Sequence, residues 1–476
     1  MKNPVLLKYA VASAGDSAMY SYVNTFWLFY LTTVAGIPPA AAGSITAIGA
    51  VAYALAGPFF AGWSDRSNHR LGRRRPFLIY SALPLGFLMC LMFTKLPASG
   101  AFHVIVPTLL GVVFWILFAA FFIPHLAWGA EITTDYNERT AIRTFSFVMY
   151  TVGYILGNVL PIISVEGFGE NGMSETSSWL LTTVIIAGAS AAMILFTGMA
   201  IRERPSPRSK PLTGFSLKAL VFDYWQVLKL RPLRLLIFVV VAYLIANALV
   251  TADRMYVFTF NMGFSGSLIS ILMLLTGTLG VALAVPMLKL AQRYDKRTML
   301  IICLGAGGAV TAAMRFVGVN DLPALVFLLC AYGVTTVAYW QLIPATFYDI
   351  CEVDEYENHV KRAGTITSTL PVAQSIAAAI GMQALGIWLQ FRGFVSGAAT
   401  QSAEALDAIM DCFTLVPGVL LVIAALIMVR FPITKRRFEE IKAALAERQD
   451  ASDRDGDGVH DGGERSDDIS DTPTRE

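Results

Sequence analysis

The sequence predicts an all-α membrane protein of twelve transmembrane helices, arranged as two halves of six. Three observations carry that prediction. Hydrophobic residues make up 55% of the 476-residue chain and charged residues only 15%, where a soluble domain of this length needs roughly a quarter charged to cover its surface. Apolar runs of about 20 residues recur, each long enough to cross a hydrocarbon core of roughly 30 Å. Basic residues gather in alternate connections between those runs, as in a chain threaded back and forth through a bilayer.

The spans follow from the punctuation by Pro, Gly and charge. Helices are expected near 5–34, 41–63, 77–95, 103–128, 144–166 and 178–201, and a second set near 233–262, 266–291, 298–318, 322–349, 363–391 and 407–431. The organisation is therefore an N-terminal six-helix bundle (1–201), a basic central loop (202–232), a C-terminal six-helix bundle (233–431) and a tail (432–476). The first apolar run is too long for the core of a signal peptide and carries no small-residue cleavage site. Cys90, Cys303, Cys330, Cys351 and Cys412 lie in or beside apolar runs without paired spacing, and read as small core residues.

Loop charges set the expected orientation. One set of connections carries Arg66, Arg70 and Arg73–Arg75, then Arg139 and Arg143, then Arg202, Arg204, Arg208 and Lys210. The same side continues with Arg293, Lys296 and Arg297, then Lys361 and Arg362, and ends on Lys435–Arg437. The opposite connections near 35–40, 167–177 and 319–321 hold no Lys or Arg, with Arg392 the main exception. Basic loops stay inside, so both termini are expected in the cytoplasm and the chain in the cell membrane. A net charge of +2 gives no footing for nucleic acid. A monomer is expected, its partners the lipid bilayer and a small-molecule substrate.

Several loop motifs carry a resemblance. Gly62-Trp-Ser-Asp65, through Arg66 to Gly72-Arg-Arg-Arg-Pro76, joins the second and third helices. Gly15-Asp16 stands within helix 1, ahead of a Tyr/Trp-rich run to Gly36-Ile-Pro. Ile123-Pro124 through Trp128 and Glu131, then Asp135-Tyr-Asn-Glu138-Arg139, closes helix 4. Pro344 through Asp349, Glu352, Glu355 and Gly364 joins helices 10 and 11. Together these segments resemble the glycoside–pentoside–hexuronide:cation symporters, which include the melibiose carriers, within the major facilitator superfamily. The resemblance covers about residues 8–430. It implies the major facilitator fold, with a sugar or glycoside site at the midplane between the halves. It also implies a cytoplasmic gate in which Asp65, Arg73, Arg74, Arg75, Glu131, Arg139, Asp349 and Glu352 pair at helix ends.

Departures from the family limit what carries over. The helix 2 positions of the two carboxylates in sodium-coupled melibiose carriers are Tyr53 and Gly57 here, and the helix 4 carboxylate position is Phe122. The positions of the sugar-binding Arg and the helix 11 Lys fall near Ser146 and Ser375. A sodium ion wants several oxygen ligands, so a melibiose-type sodium site is not expected. If transport is coupled, the coupling cation is then expected to be H+, carried by Asp16 or Asp253, the carboxylates left at membrane depth. Substrate contacts are expected from Tyr20, Asn24, His125, Trp128, Tyr150, Arg254, Trp340 and Gln374.

Other readings of the same residues stand open. Asp16 also fits a structural hydrogen bond, Asp253 and Arg254 fit ion pairs to other helices, His125 fits a satisfied helix-end group, and Arg315 fits a snorkelling side chain. Asp453, Asp455, Asp457, Asp461 and Glu464 have the offsets of a calcium loop. His460 replaces the usual apolar residue and no second helix follows, so composition favours an acidic unstructured tail. The rival functions are transport of a non-sugar amphiphile or organic acid, with Arg254 as anion partner, and a membrane sensor with a calcium-responsive tail. No metal cluster, nucleophile pair or phosphate loop stands out in the sequence, so an enzyme is not expected.

Overall fold

The structure is a computed structural model that describes residues 4–67, 69–95, 100–132, 136–202, 225–319, 321–358 and 363–444. The first half comprises α1 (Pro4–Thr33), α2 (Pro39–Arg66), α3 (Arg75–Met92), α4 (Phe102–Glu131), α5 (Tyr136–Asn158), α6 (Leu160–Glu170) and α7 (Glu175–Ala200). The second comprises α8 (Arg231–Tyr256), α9 (Gly266–Arg293), α10 (Lys296–Val317), α11 (Leu322–Asn358), α12 (Ala363–Phe391), α13 (Ala403–Met410) and α14 (Val416–Val429). A π-helical turn, Val257–Asn261, extends α8, and another, Asp411–Leu415, joins α13 to α14.

Among the described residues eleven helical segments are long and apolar enough to cross a membrane; α5 with α6, and α13 with α14, each form one of them. The twelfth span is α1, 30 residues long. Its sequence is rich in Ser, Thr and Tyr, and it is buried over most of its length against α5, α7 and α8. A helix so enclosed needs no apolar face for lipid. Its packing on α5 is close because Gly153 and Gly157 meet it: a Cβ on either would collide with the Ala14 or Ala18 carbonyl. Small residues four apart let membrane helices approach in this way. Thr25 extends the contact, donating to Asn158 Oδ1 at 2.7 Å. Gly153→Ala is therefore expected to cost about 1–3 kcal/mol and to lower the melting temperature of the detergent-solubilised protein. An unchanged melting temperature would count against this packing.

The halves repeat one another. Arg75, at the start of the third span, donates from Nε to the Gly198 carbonyl at 2.5 Å and from Nη2 to that of Met199 at 3.2 Å. Arg297, at the start of the ninth span, reaches the Met428 and Val429 carbonyls in the same way. Each arginine thus caps the C-terminus of the last helix in its half, where the free carbonyls and the helix dipole favour a cation.

Four expectations are corrected. The fifth span does not run unbroken from 144 to 166: it starts at Tyr136 and breaks at Val159, where Pro161 at the N-terminus of α6 supplies no amide donor. The tenth span does not stop at 349. α11 continues to Asn358, so the acidic run from Asp349 to Glu355 is helix rather than loop, with Asp354 buried. Arg315 does not snorkel alone; its guanidinium holds Asp411 Oδ1 at 2.6 Å and Asp407 Oδ1 at 3.0 Å. The twelfth span begins earlier than 407, because Ser402 caps Ala405 N at 3.2 Å and starts α13 there. A short helix over 435–444 follows α14. The expected calcium loop, Asp453 to Glu464, and most of the expected central loop lie outside the described residues.

Candidate functional site

Two ends must be distinguished. Call the end with the Arg73–Arg75 and Lys296–Arg297 clusters the basic end. At the opposite end, hydrogen bonds join the halves. Tyr256 Oη on α8 meets Thr32 Oγ1 at 2.6 Å and the Leu28 carbonyl of α1 at 3.2 Å. Gly397 N donates to the Thr32 carbonyl at 3.0 Å, and Ser396 Oγ to that of Ile37 at 2.8 Å. At the basic end, two ion pairs among the described residues run within a half: Arg74 Nη2 to Asp65 Oδ1 at 2.9 Å, and Lys296 Nζ to Asp349 Oδ1 at 2.7 Å. Lys296 and Asp349 line a cavity of about 430 Å³ that lies inside the second half, against Phe438 of the last helix.

Between these ends, α1 opens on one stripe. Asp16 is buried, at 6% exposure, while Tyr20 one turn on is 41% exposed. Among the described residues Asp16 makes no hydrogen bond or ion pair to another side chain, and the hydroxyls of Tyr20, Tyr53 and Tyr150 lie within its electrostatic reach. Tyr20 stands edge-on to Trp115 at 5.9 Å between ring centroids, and Tyr53 edge-on to the same ring at 5.7 Å. Since α1 packs on α5 and α7 behind, its open stripe faces the gap between the halves. Asn24 continues the stripe, its Nδ2 bonded back to the Tyr20 carbonyl at 2.8 Å. The first half thus offers a carboxylate with phenols in its electrostatic reach, and an indole packed against two of those phenols, surfaces suited to stacking and hydrogen bonding a polar ring.

The second half offers a cation. Arg254 on α8 is half-buried; its Nη1 donates to Met273 Sδ at 3.4 Å and its Nε has no partner. Thioether sulfur is a weak acceptor, so most of the guanidinium's hydrogen-bonding capacity is unused. Tyr332, whose hydroxyl is likewise unpaired, lies nearby. Asp253 does not compensate its neighbour. It is fully buried, and both of its carboxylate oxygens lack a donor, because adjacent helical residues point about 100° apart. Gln374 on α12 sits beside Tyr339, and Trp340 stands half-exposed and edge-on to the same ring at 5.4 Å.

Not every expected contact reaches this gap. His125 and Trp128 lie in the packed interior of the first half, each 3% exposed. The imidazole is stacked on Tyr9 at 4.4 Å, and Tyr9 Oη donates to the His125 carbonyl at 2.8 Å. Among the described residues, Asp65 and Arg74 pair with each other, Arg75 bonds to the end of α7, and Asp349 pairs with Lys296. Arg73 and Glu352 stay at the same end, both partly buried. The side chains of Glu131 and Arg139 lie outside the described residues. Sequence reasoning did not anticipate Tyr53 beside Asp16 or Met273 beside Arg254.

Two pseudo-repeated bundles, closed together at one end and with membrane-buried charges beside the gap between them, define a secondary transporter of the major facilitator fold. The chain belongs to the family described as MFS/sugar transport protein, whose model matches residues 8–435. It is similar to the isoprimeverose transporter of Lactiplantibacillus pentosus, at 24% identity over 90% of this chain and 88% of that one. It is also similar to a glucuronide carrier protein homolog of Escherichia coli, at 24% identity over 93% and 95%. Among solved structures, a bacterial homolog of the lysosomal transporter Spinster shares the fold, with a TM-score of 0.67, 17% identity, and coverage of 93% of this chain and 99% of that one.

Proposed function

We propose that this chain carries a sugar or glycoside across the cell membrane by alternating access, driven by protons that Asp16 binds and releases. The carrying observation is the placement of Asp16: a buried carboxylate without a counter-cation among the described residues, one turn before exposed Tyr20 on α1 and within electrostatic reach of Tyr20, Tyr53 and Tyr150. A charge at membrane depth is costly. A carboxylate there without a partner is suited to holding a proton in one state of the cycle and losing it in another. The sugars named for the family's members support the substrate class. That basic loops stay cytoplasmic supports a reading with both termini inside, in which the state described here is closed to the outside.

Proton rather than sodium coupling is supported by the residues that stand at the family's helix 2 carboxylate positions. Tyr53 supplies a phenol where a carboxylate would be needed, and Gly57 supplies nothing. The test is uptake by proteoliposomes of a panel of radiolabelled pentosides, hexosides and uronides. An imposed pH gradient is expected to drive accumulation, and a sodium gradient at clamped pH to leave it at background. Robust sodium-driven accumulation would overturn the coupling assignment. Absence of uptake or exchange for every solute would favour a sensor instead.

A second reading of the substrate rests on Arg254. A guanidinium at membrane depth, held among the described residues by a thioether, favours a substrate bearing a carboxylate, either an acidic sugar or an organic acid.

A further inference from the structure

The contacts that shut the outer mouth include a reciprocal pair. Helix α9 of the second half begins at Gly266, and its N-cap Ser265 caps none of the helix amides with its side chain; its hydroxyl turns to Ser267 Oγ at 3.0 Å. The free amides are met instead from the first half. Glu166, on α6, accepts from Gly266 N with Oε1 at 2.8 Å and from Ser267 N with Oε2 at 2.9 Å. Helix α2 of the first half begins after Pro38, which has no side chain able to cap it. Its Ala40 amide donates across the halves to Gln390 Oε1 of α12 at 3.0 Å.

The geometry points to Glu166 and Gln390 as gating residues: each half carries the cap of a helix in the other, so closing the outer mouth completes both helix starts and opening it bares them. The first amides of a helix have no partner within it, so both caps satisfy donors that only docking of the halves can reach. The two caps are unequal. Glu166 grips two amides with a full negative charge at the positive end of a helix dipole, whereas Gln390 offers one neutral oxygen. Gly266 makes the stronger grip possible, since a Cβ there would stand 2.6 Å from Glu166 Oε2 and 3.0 Å from its Cδ. When the mouth opens, water takes over the bared amides. The latch is therefore light enough to release in each cycle.

This inference rests on the alternating-access reading and its orientation. It is tested by spin-label distances between Glu170 and Glu404, at the outer ends of the two halves, in full-length protein whose native cysteines are substituted and which retains uptake. Wild-type protein should show a dominant short distance and a minor long one. Glu166→Ala should raise the ratio of long to short roughly fivefold, and Gln390→Ala about twofold. Gly266→Ala keeps the Glu166 side chain but pushes its carboxylate off the amides; it should match Glu166→Ala, and the double variant should add little to either. An unmoved ratio in folded Glu166→Ala and Gly266→Ala proteins overturns the latch, since a residue that only supports folding would lower the melting temperature and leave the populations alone. A single distance in every variant and at every substrate concentration would overturn alternating access itself, and the latch with it.

Discussion

Replacing Asp16 by asparagine is expected to abolish proton-driven accumulation while leaving exchange between equal substrate pools measurable. The substitution keeps the shape of the side chain and its place beside Tyr20 and Tyr150, and removes the group that can bind and release a proton. Uphill transport requires that the carboxylate return uncharged in one state and charged in the other. Exchange requires no net proton movement, so it survives the loss. The check is paired: pH-gradient uptake and equilibrium exchange in the same reconstituted variant. Loss of both would mark a residue needed for the fold or the substrate. Uphill uptake at the wild-type rate would leave Asp16 a structural role and pass coupling to Asp253, whose carboxylate is fully buried and lacks a donor.

The second large effect is expected at Arg254. If its free hydrogen-bonding capacity serves a substrate carboxylate, Arg254→Ala removes a charge-assisted interaction worth about 1.5–3 kcal/mol, or about 10- to 100-fold in affinity. A uronide should lose that much while the matching neutral glycoside changes by less than about threefold. Arg254→Lys should fall between, because an ammonium keeps the charge and loses the planar fork. Thermal shift reports this directly, as a ligand at 100 times its Kd stabilises by about 2.7 kcal/mol. Equal losses for the uronide and the neutral glycoside would refute the assignment.

Much of the fold is legible in the sequence, because length, hydropathy and loop charge act over whole segments. The helix count and the division into halves follow from them. Asp16 is legible too: a lone carboxylate in a helix of small and aromatic residues invites attention wherever the helix sits. What the sequence does not show is which residues meet. Arg315 finds Asp407 and Asp411 more than 90 positions away, and nothing local to Arg315 announces them. His125 and Trp128 belong to a helix apolar on every side, so no periodicity separates its packed face from its open one. The acidic run after Asp349 looks like loop because it is charged, although a helix leaving the bilayer can stay helical in water. Glu166 stands at the end of an expected span where nothing local singles it out, and its role depends on amides a hundred residues on.

Arg75 and Arg297 answer to two demands at different times in the life of the chain. As the chain enters the bilayer, they are counted as positive charges, and lysine would serve the same purpose. Once the bundle has assembled, they reach the last carbonyls of α7 and α14, and there the forked guanidinium has no close substitute. Arginine-to-lysine exchange at these two positions therefore separates biogenesis from architecture: the protein would insert the right way round, with the last helix of each half less firmly held.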